Sequence, residues 1–166
     1  MAIIEGFFHG KSSGLDAYVI LKNQPVLVED KVPQLIDLSL DDLPLSIYLL
    51  DSGVSRSSKG LIEKVLTTNK DESAKAQMKT ITDSLIDSLI NRKYDHIQED
   101  LNHLSSIQYH HMDYLIVDTI KTIWNKSLQH NNISIKLCGA GGGGFYLAFG
   151  DADDIEKIGL KKVRVK

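Results

Sequence analysis

Cysteine is almost absent from this sequence, since Cys138 is the single cysteine among 166 residues. One thiol can form neither an internal disulfide nor a four-ligand zinc site. The usage is typical of a reducing compartment, so we expect a cytoplasmic protein.

Positive charge and long apolar runs are lacking as well. The chain has 22 acidic against 19 basic residues, a net charge of −3, whereas proteins that bind nucleic acid are normally clearly basic. No apolar run approaches the roughly 20 residues that span a bilayer. The first residues, MAIIEGFF, have neither the basic start nor the length of a signal peptide. We therefore expect neither a nucleic-acid nor a membrane partner.

The rest of the composition is that of a soluble globular domain. Hydrophobic residues make up 42% and charged residues 25% of the chain, which is ordinary for a globular protein. The pattern predicts a hairpin from 18–21 and 25–28, a connector over 33–44 and a buried strand over 45–50.

The second half of the pattern is mainly helical. It predicts a helix capped by Ser57 or Ser58, one opened by Ser73, one from Ile97 and one over about 111–128. Strands at 133–137 and 145–149, a short helix near Ile155 and a last strand over 163–165 complete an α+β order.

The strongest local motif is the run of small residues in KLCGAGGGGFYLAF. It comprises Gly139, Ala140, Gly141, Gly142, Gly143 and Gly144. With almost no side chains, such a loop lets backbone N–H groups approach a phosphate or another anion.

Three other interpretations of this run compete with an anion-facing loop. Gly139, Gly141 and Gly144 have the spacing of a dinucleotide fingerprint, but that motif needs a helix where FYLAFG predicts a strand. A Walker loop needs Lys and then Ser or Thr where Phe145 and Tyr146 stand. A plain hairpin turn stays open, although two such residues suffice for one.

A second motif, EGFFHGKSSGLD, places the carboxylates Glu5 and Asp16 around two small turns. A carboxylate in such surroundings can orient or deprotonate a substrate hydroxyl, and a second can hold Mg²⁺. Taken alone, the motif is equally compatible with Asp16 as a helix cap and Glu5 as a surface charge.

Together, FHGKSSGLD and the later KLCGAGGGG resemble the GHMP family of small-molecule kinases, and within it the mevalonate kinases most. The segment YLLDSGVSRSSKGLIEKV is also similar to that family. Ser12 and Cys138 stand where many members have Pro and Thr. The resemblance implies transfer of the γ-phosphoryl group of ATP to the primary hydroxyl of mevalonate, with ATP and Mg²⁺ as cofactors.

The resemblance also implies roles by position. Asp16 matches the carboxylate that acts on the hydroxyl, and Glu5 matches the Mg²⁺ ligand. The run 139–144 matches the loop that lines the site beside the nucleotide. The family's turn that aims this carboxylate is matched here by His9, Gly10, Ser13 and Gly14. Arg56 and Lys59, after the strand 45–50, are candidate phosphate contacts.

One family motif is missing. No P-x-x-x-G-L-(G/A)-S-S phosphate-binding loop occurs in the sequence, and family members are about twice this length. The resemblance therefore implies that residues 1–44 are the end of the family's N-terminal domain and 45–166 its ferredoxin-like C-terminal domain. It implies that Met1 is a truncated or misplaced start, and that the missing half is fused or supplied as a second chain.

Two other functions stay open: another GHMP kinase, acting on phosphomevalonate or a sugar, and a non-catalytic remnant or regulatory domain. If the site is assigned correctly, Asp16 and the loop 139–144 lie on one cleft, within roughly 10–12 Å. We also expect an apolar patch at Ile3, Ile4, Phe7 and Phe8, where the absent half would pack.

Overall fold

The structure, a computed structural model, describes residues 14–55 and 71–166. The chain divides into two compact units, residues 1–39 and residues 40–166. This division falls a few residues before the boundary expected from the sequence, and the assignment of the units to kinase domains stays a prediction. Each unit is described by itself.

The described residues of the first unit, 14–39, form one helix and one hairpin. Helix α1 spans Leu15–Lys22 and is followed by strands β1 (Val26–Glu29) and β2 (Val32–Leu35), which pair antiparallel. The prediction of a strand at 18–21 is wrong, because a short apolar run alone does not distinguish a strand from a helix. The strands instead join through Asp30 and Lys31, both at positive φ, as a tight hairpin turn requires.

The second unit begins with a 3-10 turn, Leu40–Asp42, and strand β3, Ser46–Asp51. Among residues 71–130, the structure describes three longer helices: α2 (Glu72–Ile90), α3 (Ile97–His111) and α4 (Asp118–His130). A second 3-10 turn, Asp113–Leu115, lies between α3 and α4. The chain ends with β4 (Ile133–Leu137), β5 (Phe145–Gly150), α5 (Ala152–Glu156) and β6 (Lys162–Arg164).

The four strands of this unit form one antiparallel sheet in the order β4-β5-β3-β6. Leu49 on β3 lies between Leu147 on β5 and Val163 on β6. With helices between β3 and β4 and between β5 and β6, this is the β-α-β-β-α-β arrangement of ferredoxin-like folds. The α+β fold class predicted from the sequence is confirmed.

Both faces of the sheet are covered, because side chains alternate between them along each strand. One face packs with α4 around the fully buried Trp124, Ile135 and Tyr146. The other face packs Ile47 with Leu85 of α2 and Leu101 of α3. Two cores therefore stabilise one sheet.

Two helix starts differ from the prediction. Helix α2 is capped by Asp71, whose side chain accepts the N–H of Ala74, and not by Ser73. The predicted helix over 111–128 is interrupted before α4 begins at Asp118. The Leu115 carbonyl there accepts from Gly142 and from Tyr146, so it is committed to tertiary contacts. The helix predicted after Ser57 lies outside the described residues.

Polar side chains of α3 cover the edge of the sheet at β4. The N–H of Ile135 donates to Ser105 Oγ at 3.2 Å and the N–H of Leu137 donates to Gln108 Oε1 at 2.9 Å. Asn102 accepts from Ser134 Oγ on the same strand. We call the residues Gln98, Asn102, Ser105 and Gln108 the polar stripe of α3.

Candidate functional site

The glycine loop, residues 139–144, connects β4 to β5 at one end of the sheet. All five of its glycines have positive φ, from 70° to 127°. Only glycine adopts such conformations at little cost, so the loop has a defined shape that other residues would strain. A plain two-residue turn does not explain this requirement.

Two neighbouring segments hold the loop in place. The N–H of Gly142 donates to the Leu115 carbonyl at 2.7 Å, and the N–H of Gly144 donates to the Val54 carbonyl at 2.9 Å. The Gly144 carbonyl in turn accepts from the N–H of Ser52 at 3.0 Å. The loop is therefore clamped between the end of β3 and the turn that precedes α4.

The clamp leaves no room for side chains at two positions. A Cβ atom on Gly141 would lie 2.8 Å from Leu115 Cβ, and one on Gly143 would lie 2.7 Å from the Val54 carbonyl oxygen. A Cβ on Gly144 would meet nothing within 4 Å. Close packing thus explains Gly141 and Gly143, whereas Gly144 is explained by its backbone conformation.

The buried Tyr146 holds the segment against which the loop packs. Tyr146 Oη accepts the N–H of Val117 at 3.3 Å and donates to the Leu115 carbonyl at 3.2 Å. Burial raises the pKa of this phenol, so it remains a neutral hydrogen-bond donor at physiological pH. Its role here is to fix the segment against which the loop packs.

The exit of β3 forms the other side of the clamp. Thr119 Oγ1 donates to the Ser52 carbonyl at 3.0 Å, and Ser52 Oγ accepts the N–H of Val54. Asp51 Oδ1 accepts the N–H of Gly53 at 2.9 Å. Sequence reasoning assigned these residues no role, and the contact of Thr119 with Ser52 joins segments 67 positions apart.

The loop differs along its length in what it offers a ligand. Gly139, its first residue, is exposed and Ala140 is half-buried, while the N–H groups of Gly142 and Gly144 are engaged by the protein. An anion would therefore meet the loop at its first residues. The six N–H groups of the loop do not all face a ligand, because those of Gly142 and Gly144 bind the protein.

Lys136 lies at the root of this loop. Its ammonium group donates to the Leu137 carbonyl at 3.1 Å, and its side chain is partly buried. Burial lowers the pKa of this amine, and the Cys138 thiol opposes that shift. The sequence signal was a lysine within the apolar alternation of β4, three positions before the first glycine of the run.

The predicted N-terminal residues are only partly described. Gly14 precedes α1 at a left-handed φ of 72°, and Asp16 stands exposed in the first turn of that helix. Asp16 is not the cap, because Gly14 occupies that position. Since Asp16 and the glycine loop belong to different units, their expected proximity stays a prediction.

The other expected contacts fall outside the described residues: Glu5, His9, Gly10, Ser13, Arg56 and Lys59, and also the predicted apolar patch at Ile3, Ile4, Phe7 and Phe8.

Within residues 14–55 and 71–166, no three His, Cys, Asp or Glu side chains come together to hold a metal ion. Mg²⁺ carried by nucleotide phosphates needs only one or two carboxylates, and the candidate Glu5 is not among these residues. In the same part of the chain, no helix combines the length and the apolar character needed to cross a membrane.

A cleft of about 440 Å³ lies at the far end of α4. It is lined by residues that include Ile123, Lys126, His130, Ile133 and Lys157, and no residue of the glycine loop borders it. Thr119, at the start of α4, contacts the clamp, so the 13-residue helix separates the two places by about 20 Å.

Comparison with known proteins gives a structural likeness and no sequence match. No protein-family model and no curated sequence matches the chain. Among solved structures, it is similar to Streptococcus pneumoniae phosphomevalonate kinase in complex with phosphomevalonate and AMPPNP, with a TM-score of 0.62 and 16% identity. The match covers 81% of this chain and 43% of the kinase chain. At this identity the likeness shows the fold: helices on an antiparallel sheet, as in part of a GHMP kinase.

Proposed function

We propose that this chain is part of an ATP-dependent small-molecule kinase of the GHMP type, acting on mevalonate. The observation that carries the proposal is the glycine loop between β4 and β5 of a ferredoxin-like sheet, in a chain that also contains the HG-x-SSG-x-D motif. The structural likeness to a GHMP kinase supports the same conclusion. We also propose a cytoplasmic location, in agreement with the single cysteine of the sequence.

In this proposal, the residues act mainly by positioning and electrostatics, which dominate phosphoryl transfer. Asp16 orients or deprotonates the attacking hydroxyl, and its turn of Gly14, Ser13, His9 and Gly10 aims it. The exposed first residue of the glycine loop, Gly139, lies beside the phosphates. Glu5 would hold Mg²⁺, which neutralises phosphate charge when bound. Arg56 and Lys59 are candidate phosphate contacts.

Phosphomevalonate is the second candidate substrate, because the similar kinase was solved with it. The chain spans 43% of that kinase's length and lacks the family's phosphate-binding loop. We therefore propose that turnover needs this missing half, either fused or supplied as a separate chain.

An NMR titration of the ¹⁵N-labelled chain tests the proposal. Mevalonate, phosphomevalonate and Mg·AMPPNP are added separately, and amide shifts are followed. We expect the largest changes at residues 138–145 and 51–55, with saturation by one of the ligands. Changes confined to the cleft at the far end of α4, or none at millimolar ligand, would contradict the proposal and favour a non-catalytic domain.

A further inference from the structure

Lys136 differs from the lysines that form ion pairs in this protein. Lys75, Lys121 and Lys157 each place Nζ within 3.0 Å of a carboxylate on the protein surface. Lys136 is partly buried, and within the described part of the chain no carboxylate lies within ion-pair distance of it. Its hydrogen-bond acceptor among these residues is the neutral Leu137 carbonyl.

The position of this ammonium group is fixed by that hydrogen bond. Leu137 is the last residue of β4, and Cys138 and the glycine loop follow it. The Nζ atom, 3.1 Å from the Leu137 carbonyl oxygen, therefore lies where the strand ends and the loop begins. The Cys138 thiol is close enough to influence the amine.

Among the described residues, no opposite charge compensates this cation. Removing an ammonium group from water is costly unless an opposite charge is near. One carbonyl satisfies one of its three donors, and burial disfavours its charged form. An anion placed beside it would restore the charged form and would accept a charge-assisted hydrogen bond.

We propose that Lys136 contacts a phosphoryl group bound at the root of the glycine loop. This inference rests on the proposed function and gives a role to a residue of the KLCGAGGGG motif that has none among the expected contacts. The shared chemistry is a phosphoryl oxygen, contributed either by a phosphorylated substrate or by the nucleotide. In both cases the ammonium group is a fixed point charge that meets the anion.

Competitive acetylation read by mass spectrometry tests the contact. The rate of acetylation at Lys136 is measured against pH in the intact chain, alone and with pyrophosphate, phosphomevalonate or Mg·AMPPNP. Lys121, paired with Asp113, is the internal reference. Because an anion stabilises the charged amine, we expect the midpoint for Lys136 alone to rise. The ligand that raises it most identifies the source of the phosphoryl group.

The matched variants are Lys136→Met and Lys136→Arg, with Lys126→Met as a surface control. Loss of one charged hydrogen bond should weaken binding of the effective ligand by about 10- to 100-fold in Lys136→Met. Lys136→Arg should restore part of it, and Lys126→Met should bind like the unchanged protein. Urea unfolding of each variant shows whether the fold is retained.

The outcomes separate the inference from the proposed function. If Lys136→Met binds normally and the loop resonances still respond, the lysine only covers apolar surface with its methylene groups, and the inference falls alone. If pyrophosphate raises the Lys136 midpoint but neither kinase ligand affects the loop, the anion site stands and the kinase proposal falls. A midpoint that no anion moves overturns the inference.

Discussion

Trp124 Nε1 donates a hydrogen bond of 2.8 Å to Ser105 Oγ, and both residues are buried. The same hydroxyl oxygen accepts the N–H of Ile135 at 3.2 Å. One side chain therefore connects α3, α4 and strand β4 in the interior of the second unit.

We expect Ser105→Ala to lower the free energy of unfolding by about 2–4 kcal/mol, because two buried donors lose their acceptor. Urea unfolding followed by tryptophan fluorescence measures the change. Ser106→Ala, one position along the same helix, is the control and should change stability by less than about 0.5 kcal/mol. Equal effects of both variants would show that the hydroxyl is not the common acceptor.

The glycine loop should tolerate side chains unequally. Gly141→Ala and Gly143→Ala combine an unfavourable φ with a backbone clash, and we expect each to cost about 3 kcal/mol or more. Gly144→Ala has open space around its Cβ and should cost about 1–2 kcal/mol from its φ alone. Gly159→Ala is the control and should be near neutral. Urea midpoints give the order, and similar losses at 141 and 144 would contradict the clamp.

The cap of α2 should make the second unit sensitive to acid. The N–H of Ala74 and then the imidazole of His111, whose Nδ1 is 2.9 Å from the carboxylate, hold the pKa of Asp71 below its ordinary 3.8. A carboxylate with a lowered pKa stabilises the fold above its unfolded pKa and loses this contribution as the pH falls through its folded value. Stability should therefore decline below about pH 4.

Two variants at Asp71 separate the effect of its charge on stability from the effect of its helix cap. Asp71→Asn can still cap the helix and should remove part of the acid dependence, while Asp71→Ala should lower stability across the whole pH range. Urea midpoints between pH 2 and pH 6 provide the measurement. If Asn leaves the pH profile unchanged, the carboxylate is not responsible for it.

The first unit should be much less protected than the second. None of its described residues from 15 to 39 is buried, Ile20 and Leu21 are 79% and 66% exposed, and an isolated two-stranded hairpin is marginally stable in water. Hydrogen–deuterium exchange by mass spectrometry should show rapid exchange over 15–35 and strong protection over 145–150. Comparable protection of both segments would contradict this expectation.

Asp16→Asn tests the role given to the N-terminal carboxylate. If Asp16 acts on the substrate hydroxyl, phosphoryl transfer from γ-labelled ATP should fall by about 100-fold or more once the missing half is present. Asp30→Asn, in the hairpin turn, is the control and should retain activity. Unfolding curves establish that both variants fold, and an active Asp16→Asn enzyme would remove this residue from the mechanism.

Local pattern predicted the fold well where one segment determines its own structure. The short apolar segments at 133–137 and 145–149 predicted β4 and β5, and the spacing of Ile97, Leu101 and Leu104 predicted α3. The positive φ angles of the loop and the close contacts at Gly141 and Gly143 agree with its high glycine content. The helix at Leu15–Lys22 was missed, because four apolar residues carry no clear period.

What the sequence could not predict depends on contacts between distant segments. The break before α4 follows from the use of the Leu115 carbonyl by Gly142 and Tyr146, which no local pattern records. The clamp of Ser52 and Val54 on the glycine loop likewise joins residues about 90 positions apart.

The polar stripe of α3 has a consequence for how the protein behaves at high concentration. An open strand edge invites pairing with another molecule, and at β4 Ser105 and Gln108 already accept the N–H groups of Ile135 and Leu137. The opposite edge strand, β6, is only three residues long and includes Lys162 and Arg164. Replacing the whole stripe would therefore leave the N–H groups of β4 open to pairing with a second molecule, and we expect such variants to aggregate more readily at high concentration.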